Sequence, residues 1–166
     1  MLRTWRDITA TMAATCAAAG FDLVQPLQVG WYNDAVDAAH RLPDAGHPGR
    51  LALLIANTRA LWPRFLAALR AEPALLDQPD PLDRYTERQV LAALRPLSTS
   101  WEVRFAHEPP PRRVALQRLA HCAGLAHVSP SRLSVHPVYG PWIGLRAAVV
   151  VGVDGPPGPP QAPADP

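Results

Sequence analysis

Five polar side chains stand out because they lie within or beside apolar segments: Gln117, His121, Ser134, His136 and Arg146. Arg146 interrupts the apolar run WIGLRAAVVV, and burying an unpaired guanidinium is costly in free energy. Alternation along a strand places Arg146 on the same face as Gly144 and Ala148, whose small side chains leave space for a ligand. These residues therefore predict a pocket lined by glutamine, histidine and arginine over a sheet face of small residues.

Each of these side chains also has an ordinary structural interpretation. His121 follows Arg113 and Gln117 at four-residue intervals, which is typical of the solvated face of a helix. His136 precedes Pro137 and suits a strand-entry turn, in which the imidazole is a structural hydrogen-bonding group. The residue pattern by itself leaves these alternatives open.

Several kinds of chemistry are disfavoured by motifs that the sequence lacks. It contains no phosphate-binding P-loop, no dinucleotide-binding glycine pattern, no hydrolase nucleophile elbow and no HExxH zinc motif. Cys16 and Cys122 form no CxxC, and no cysteine or carboxylate stands at metal-ligand spacing around the histidines. We therefore expect buried free thiols and no metal held by protein side chains.

Composition predicts one globular domain without a nucleic-acid or membrane partner. The 166 residues are 48% hydrophobic and 18% charged, and the net charge is +2. All 16 basic residues are arginines, and they are scattered along the chain. The N-terminus lacks a continuous apolar run, and no window reaches the ~18 apolar residues that span a bilayer. These features favour a cytoplasmic protein in a reducing compartment.

Helical and strand patterns interleave along the chain. Helices are predicted at 5–18, 60–70, 81–94 and 112–126, and strands or extended segments at 21–32, 51–56, 101–105 and 134–151, the last of them broken near Gly140 and Pro141. This order favours an α+β sheet layered with helices over a doubly wound sheet. Residues 153–166 are rich in proline, which predicts a disordered tail after a domain that covers residues 1–152.

Two segments resemble the CblC (MMACHC) family of cobalamin-processing proteins. QVGWYN at residues 28–33 is similar to that family's QVAWYN. AHCAG at 120–124, followed by VHPVYGPWIGLR at 135–146, is similar to its AHVAG and IHPRFGGWFAIR. The similarity spans about residues 15–153, and the chain is identified as a short, bacterial-type member. The later motifs are also similar to those of epoxyqueuosine reductases and reductive dehalogenases. Those enzymes carry ferredoxin-type cysteine clusters, which a chain with two cysteines cannot form.

The resemblance implies a flavin-nitroreductase-like scaffold that binds cobalamin in the base-off state and removes its upper axial ligand. Decyanation would be reductive, with an electron donor or flavin reductase that supplies reduced flavin, and dealkylation would use glutathione. The expected partner is a downstream protein that accepts the cobalamin. The expected oligomeric state is a monomer or a weak homodimer. Two alternatives remain open, namely a non-catalytic cobalamin carrier or chaperone and a flavin-binding nitroreductase-like protein.

The resemblance also assigns site residues. Gln117 and His121 would face the corrin from a helix, and Arg146 would contact both the corrin and glutathione. The residues expected to bind cobalamin are Val114, Ala115, Leu116, Gln117, His121, Ser134, Leu145 and Arg146. No further C-terminal arginines follow in this chain, so decyanation is the better supported of the two reactions.

Overall fold

An antiparallel sheet organises the chain, which the computed structural model describes over residues 4–165. Its four strands lie in the order β1-β2-β6-β3, and a separate two-stranded hairpin pairs β4 with β5. The strands are β1 (Leu23–Gln28), β2 (Arg50–Asn57), β3 (Trp101–Phe105), β4 (His127–Val128), β5 (Ser134–Val135) and β6 (Gly144–Asp154). The helices are α1 (Trp5–Ala18), α2 (Val29–Asn33), α3 (Leu61–Ala71), α4 (Pro81–Leu94) and α5 (Leu116–Cys122), with short 3-10 turns at Ala38–His40 and Pro73–Asp77.

Helices cover both faces of the sheet, and this explains why β2 is apolar almost throughout. On one face, which we call the α1 face, Leu51, Leu53 and Ile55 pack against residues of α1, α3 and α4. On the opposite face, the α5 face, Ala52 and Ala56 pack against α2 and α5. Small side chains on the α5 face let α5 approach the sheet closely.

The α+β layering that the sequence predicts is confirmed. Helix α1 has the predicted bounds, and Thr4 and Asp7 form its capping box. Strand β3 likewise spans the predicted residues. Pro26 lies in β1, an edge strand, where proline is tolerated because its missing N–H faces away from the ladder. No helix of the described residues is long and apolar enough to span a bilayer.

The predicted helix over 112–126 is wrong at both ends, because α5 covers residues Leu116–Cys122. Before the helix, the Ala115 backbone N–H donates to the Tyr32 hydroxyl, and the Leu116 N–H donates to the Val114 carbonyl across a non-helical Ala115. After it, Gly124 adopts a φ of 73°, and the Leu125 N–H returns to the Ala120 carbonyl. A glycine in this left-handed conformation ends the helix well before residue 126.

The extended segment predicted over 21–32 ends earlier than expected. Strand β1 stops at Gln28, and residues 29–33 of the QVGWYN motif form the short helix α2. The Gly30 N–H donates to the Pro48 carbonyl at 2.7 Å, and a Cβ at Gly30 would meet Pro48 at 3.0 Å. The chain turns at this close approach, which leaves little room for a side chain and so explains why residue 30 is glycine.

The last predicted strand is broken, as its prolines and glycine indicate. Strand β5 is two residues long, a bridge joins His136 to Gly140, and β6 begins at Gly144. Strand β6 continues to Asp154, two residues beyond the predicted domain boundary at residue 152. The following residues lie against the domain, since the Gln28 side-chain amide donates to the Pro156 carbonyl at 2.6 Å.

Candidate functional site

A cavity of about 800 Å³ lies beside α5, bounded by the β4–β5 hairpin and the entry to β6. This volume is within the range of small-molecule and cofactor sites. Six of the eight residues that the resemblance assigns line it: Val114, Ala115, Leu116, Gln117, Ser134 and Leu145. The remaining lining residues are Ala106, Arg118, Val128, Arg132, Leu133, Pro141 and Ile143.

One wall of the cavity is positioned by Tyr32 of the QVGWYN motif. The Tyr32 hydroxyl accepts the Ala115 N–H at 2.9 Å and donates to the His40 carbonyl at 2.7 Å. Burial raises the pKa of Tyr32 to about 12, so the hydroxyl keeps its proton at neutral pH. The motif therefore supports residues 114 and 115 of the wall, although Tyr32 itself is fully buried in the core.

Gln117 links α5 to the opposite rim of the cavity. Its side-chain amide donates to the Arg132 carbonyl at 2.7 Å. Arg132 has a φ of 62°, which is uncommon for a residue other than glycine. The loop that carries it is closed by hydrogen bonds between Ser129 and Leu133, whose backbone N–H and C=O groups both contact Ser129. The rim is thus held in a defined conformation.

Two buried polar atoms of the described chain have no hydrogen-bond partner, the Ser134 Oγ and the His121 Nδ1. Buried polar groups are nearly always paired, because an unmet donor or acceptor loses the full free energy of its hydration. Ser134 lines the cavity, so a ligand there can supply the missing partner. This observation points to a polar group of a ligand beside residue 134.

His121 is not among the residues that line the cavity, although the resemblance implies that it faces the corrin. Its ring packs edge-on against His127 at 5.8 Å between ring centroids, and the His127 Nε2 lies 3.4 Å from the Asp165 Oδ1. Gln117 and His121 lie on the same face of α5, as their four-residue spacing predicts. At His121, however, strand β4 of the hairpin packs against this face.

Arg146 also lies outside the cavity lining. Ile55 pairs with Ala147 and Ala56 pairs with Leu145, so Arg146 is the extra residue of a β-bulge. Its Nε donates to the Asn57 Oδ1 at 2.6 Å. Burial lowers the pKa of its guanidinium, and the Asp83 carboxylate on α4, a helix of the α1 face, partly offsets this. The simple alternation that places Arg146 beside Ala148 is therefore wrong, because the bulge sends Leu145 to the cavity instead.

Sequence reasoning missed seven lining residues, and two of these are charged, Arg118 and Arg132. Arg118 follows Gln117 directly and looks like an ordinary solvated helix residue. Arg132 lies in a Ser/Pro loop, and no simple sequence pattern predicts its left-handed backbone conformation. The only available signal was adjacency to a predicted site residue, which is weak.

The two cysteines are free and unsuited to act as nucleophiles. Burial raises the pKa of the Cys16 thiol to about 11 and also raises the pKa of the Cys122 thiol. Thiolates are the reactive form, so both side chains are protonated and inert near neutral pH. Within residues 4–165, no group of three or more His, Cys, Asp or Glu side chains is arranged to hold a metal ion.

Curated proteins similar to this chain bear the name cyanocobalamin reductase / alkylcobalamin dealkylase. The protein from Homo sapiens is 31% identical over 167 residues, which cover 88% of this chain and 57% of the relative. The protein from Danio rerio is 27% identical and covers 90% of this chain and 64% of the relative. The chain thus spans less than two thirds of these relatives' length. No family model matches it.

Solved structures with the same fold include a C. elegans B12-trafficking protein, CblC, described as a human MMACHC homologue. It aligns with a TM-score of 0.77 and 19% identity over 96% of this chain and 74% of its own. A Bacillus subtilis epoxyqueuosine reductase aligns with a TM-score of 0.57 and 11% identity over 98% of this chain and 49% of its own. These likenesses confirm the nitroreductase-like α+β scaffold. Together with the curated relatives, they show that the chain is similar over most of its length to CblC (MMACHC) cobalamin-processing proteins.

Proposed function

We propose that this chain binds cobalamin in the base-off state in the cavity beside α5 and removes its upper axial ligand. The observation that carries the proposal is a cavity of about 800 Å³ lined by six residues that the family motifs assign. The names of the curated relatives support the reaction class. Cobalamin is the substrate in this account, and glutathione and reduced flavin are external reagents.

The lining chemistry fits a corrin. The macrocycle is apolar and carries carboxamide side chains at its rim, which need both donors and acceptors. Apolar side chains such as Leu116 and Leu145 form much of the surface. The unpaired hydroxyl of Ser134 can donate or accept, and the carbonyl oxygen of the Gln117 side chain remains available as an acceptor.

The described lining residues include no carboxylate, thiol or imidazole. The chain's contribution is therefore to bind the corrin, to keep the lower base away from cobalt and to restrict water. In decyanation, an electron from reduced flavin reduces cobalt(III) to cobalt(II), and cyanide leaves with the bonding electron pair. In dealkylation, a glutathione thiolate attacks the alkyl carbon, which gives a thioether and cobalt(I).

A non-catalytic carrier is the second candidate. The absence of acid–base side chains from the described lining favours it, as does the trafficking role in the name of the C. elegans structure. A carrier would bind the same base-off substrate and release it unchanged to an acceptor. A bound flavin is the remaining alternative, and it would give the purified protein a flavin absorbance spectrum.

Anaerobic mixing with cyanocobalamin and a reduced flavin system tests the proposal. We expect a base-off absorbance change on binding, followed by cobalt(II) formation and release of free cyanide. The Gln117→Ala variant should bind cyanocobalamin about three- to tenfold more weakly, because it loses a rim contact and an acceptor. Gln89→Ala on α4, on the other side of the sheet, is the matched control. A base-off shift without cyanide release would select the carrier, and no shift would refute both cobalamin functions.

A further inference from the structure

Arg118 and Arg132 are the only charged residues among the described residues that line the cavity. Both side chains are exposed. Neither guanidinium forms a hydrogen bond or an ion pair within residues 4–165. The cavity lining therefore carries two positive charges that no carboxylate of the described residues pairs with.

The segments that carry the two arginines are joined by one hydrogen bond. Arg118 follows Gln117 on α5, and the Gln117 amide binds the Arg132 carbonyl at 2.7 Å. The loop around Arg132 is closed by a hydrogen bond between the Ser129 and Ser131 hydroxyls and by the Leu133 N–H, which donates to the Ser129 Oγ. Two cationic side chains thus line the same cavity, one on α5 and one on the opposite rim.

We propose that Arg118 and Arg132 form an anion subsite that takes the phosphodiester of the cobalamin nucleotide loop. This inference rests on the proposed function. The corrin amides are neutral, whereas the loop that links the corrin to the lower base carries a phosphodiester anion. In the base-off state the bond between the lower base and cobalt is broken, so the loop that carries the base is free to reach the protein. Guanidinium groups suit phosphate because their paired N–H donors match two phosphate oxygens.

The carboxylates of glutathione offer the same anionic chemistry. The phosphodiester is favoured because it is covalently part of the substrate, so it occupies the rim whenever the corrin occupies the cavity. A separate thiol would have to bind there in competition with the loop. The two sources are separable by experiment, because a corrinoid without the nucleotide loop exists.

Equilibrium dialysis with cyanocobalamin and with cyanoaquocobinamide, which lacks the nucleotide loop, tests the subsite. We expect Arg118→Gln and Arg132→Asn each to weaken cyanocobalamin binding about three- to fivefold, and the double variant about tenfold or more. Cobinamide affinity should be unchanged, as should both affinities of the control Arg70→Gln on α3. Asparagine is chosen at residue 132 because it tolerates the left-handed backbone, and thermal unfolding of each variant checks its fold.

Comparing each variant with the unsubstituted chain removes the free-energy cost of displacing the lower base, which is common to both. Equal losses of affinity for the two corrinoids, or no loss for either, would overturn the subsite while leaving the proposed function intact. Failure of the unsubstituted chain to bind either corrinoid would overturn both. Normal cyanocobalamin binding with a raised glutathione requirement for methylcobalamin dealkylation would assign the arginines to the thiol and refute the phosphodiester.

Discussion

Ser134 combines a buried hydroxyl with the absence of any hydrogen-bond partner among the described residues. Replacing it by alanine removes an unmet polar group, so we expect Ser134→Ala to leave the stability of the free protein unchanged or to raise it by up to about 1 kcal/mol. The same change should weaken cyanocobalamin binding about three- to tenfold, since the ligand loses one hydrogen bond. Thermal unfolding and a binding titration measure the two effects.

Ser98, an exposed residue between α4 and β3, provides the control. Ser98→Ala should change neither quantity. A clear loss of stability in the free Ser134→Ala protein would contradict the account, because it would mean that the hydroxyl already has a partner in the absence of ligand.

Arg146 illustrates what a sequence can and cannot predict about one residue. An arginine within an apolar strand needs a partner, and the structure provides one in Asn57. The identity of that partner depends on the bulge, which shifts the register between Ile55 and Ala56. A shift of one residue reverses the face of a side chain, so no alternation rule could have found it.

The pairing of Arg146 with Asn57 can be measured by a double-mutant cycle. Arg146→Ala and Asn57→Ala should each destabilise the protein by about 1.5–3 kcal/mol, because a hydrogen bond to a charged group is lost in a half-buried site. The double variant should lose less than the sum of the two. Denaturant unfolding gives these values. If the two losses of stability were strictly additive, or if a variant of unchanged stability had lost cobalamin binding, the result would indicate that Arg146 contacts the ligand directly.

Helix α2 acts on the cavity through a single hydroxyl. Tyr32→Phe removes the group that bridges the His40 carbonyl and the Ala115 N–H. We expect a loss of about 1–3 kcal/mol in unfolding free energy, because both buried backbone groups lose their partner. Cyanocobalamin affinity should fall as well, since residues 114 and 115 lose their anchor. The control is Tyr139→Phe, which should change stability little. Tyr139 is half-exposed and lies in the segment between β5 and β6, residues 136–143, which we call the hinge.

The hinge between β5 and β6 is sensitive to acid through His136. Its Nδ1 accepts the Val138 N–H at 3.1 Å and the Tyr139 N–H at 3.3 Å. Burial lowers the pKa of His136 below the ordinary histidine value of 6.5. The unfolded chain therefore binds a proton at higher pH than the folded chain does. The stability contributed by this residue is present above about pH 6.5 and is lost as the pH falls below it.

Denaturant unfolding at about pH 7.5 and pH 5.5 measures this dependence. The unsubstituted chain should lose more stability between the two values than His136→Gln does, because glutamine does not titrate. His40→Gln, at a more exposed position, corrects for general histidine effects. An equal loss in the His136→Gln protein would contradict this role for the hinge.

The elements could be predicted well where their signals are local. The capping box gives the start of α1, and alternation gives the bounds of β3. Prediction failed where distant residues decide, as at Ala115, whose N–H binds Tyr32 instead of extending α5. The turn of residues 29–33 depends similarly on the Pro48 carbonyl.

At the scale of the whole molecule, the two faces of the sheet differ in how completely other elements cover them. The α1 face is covered by a continuous apolar core from three helices, whereas α5 and the hairpin leave a cavity of about 800 Å³ beside the other face. Six of its lining residues were predicted from the resemblance to the CblC (MMACHC) family. The shape of the cavity could not be predicted, since it is formed by segments as distant as Ala106, Val128 and Pro141.

The absorbance spectrum of cyanocobalamin mixed with this protein at neutral pH tests the central claim most directly, when it is compared with that of a cavity-filling variant. Leu145→Trp places an indole in the lined volume, and Leu76→Trp, at a position 61% exposed, is the control. We predict a base-off spectrum that saturates at one equivalent for the unsubstituted chain and for Leu76→Trp, and a base-on spectrum for Leu145→Trp. A base-on spectrum for the unsubstituted chain, or full binding by Leu145→Trp, would contradict the account.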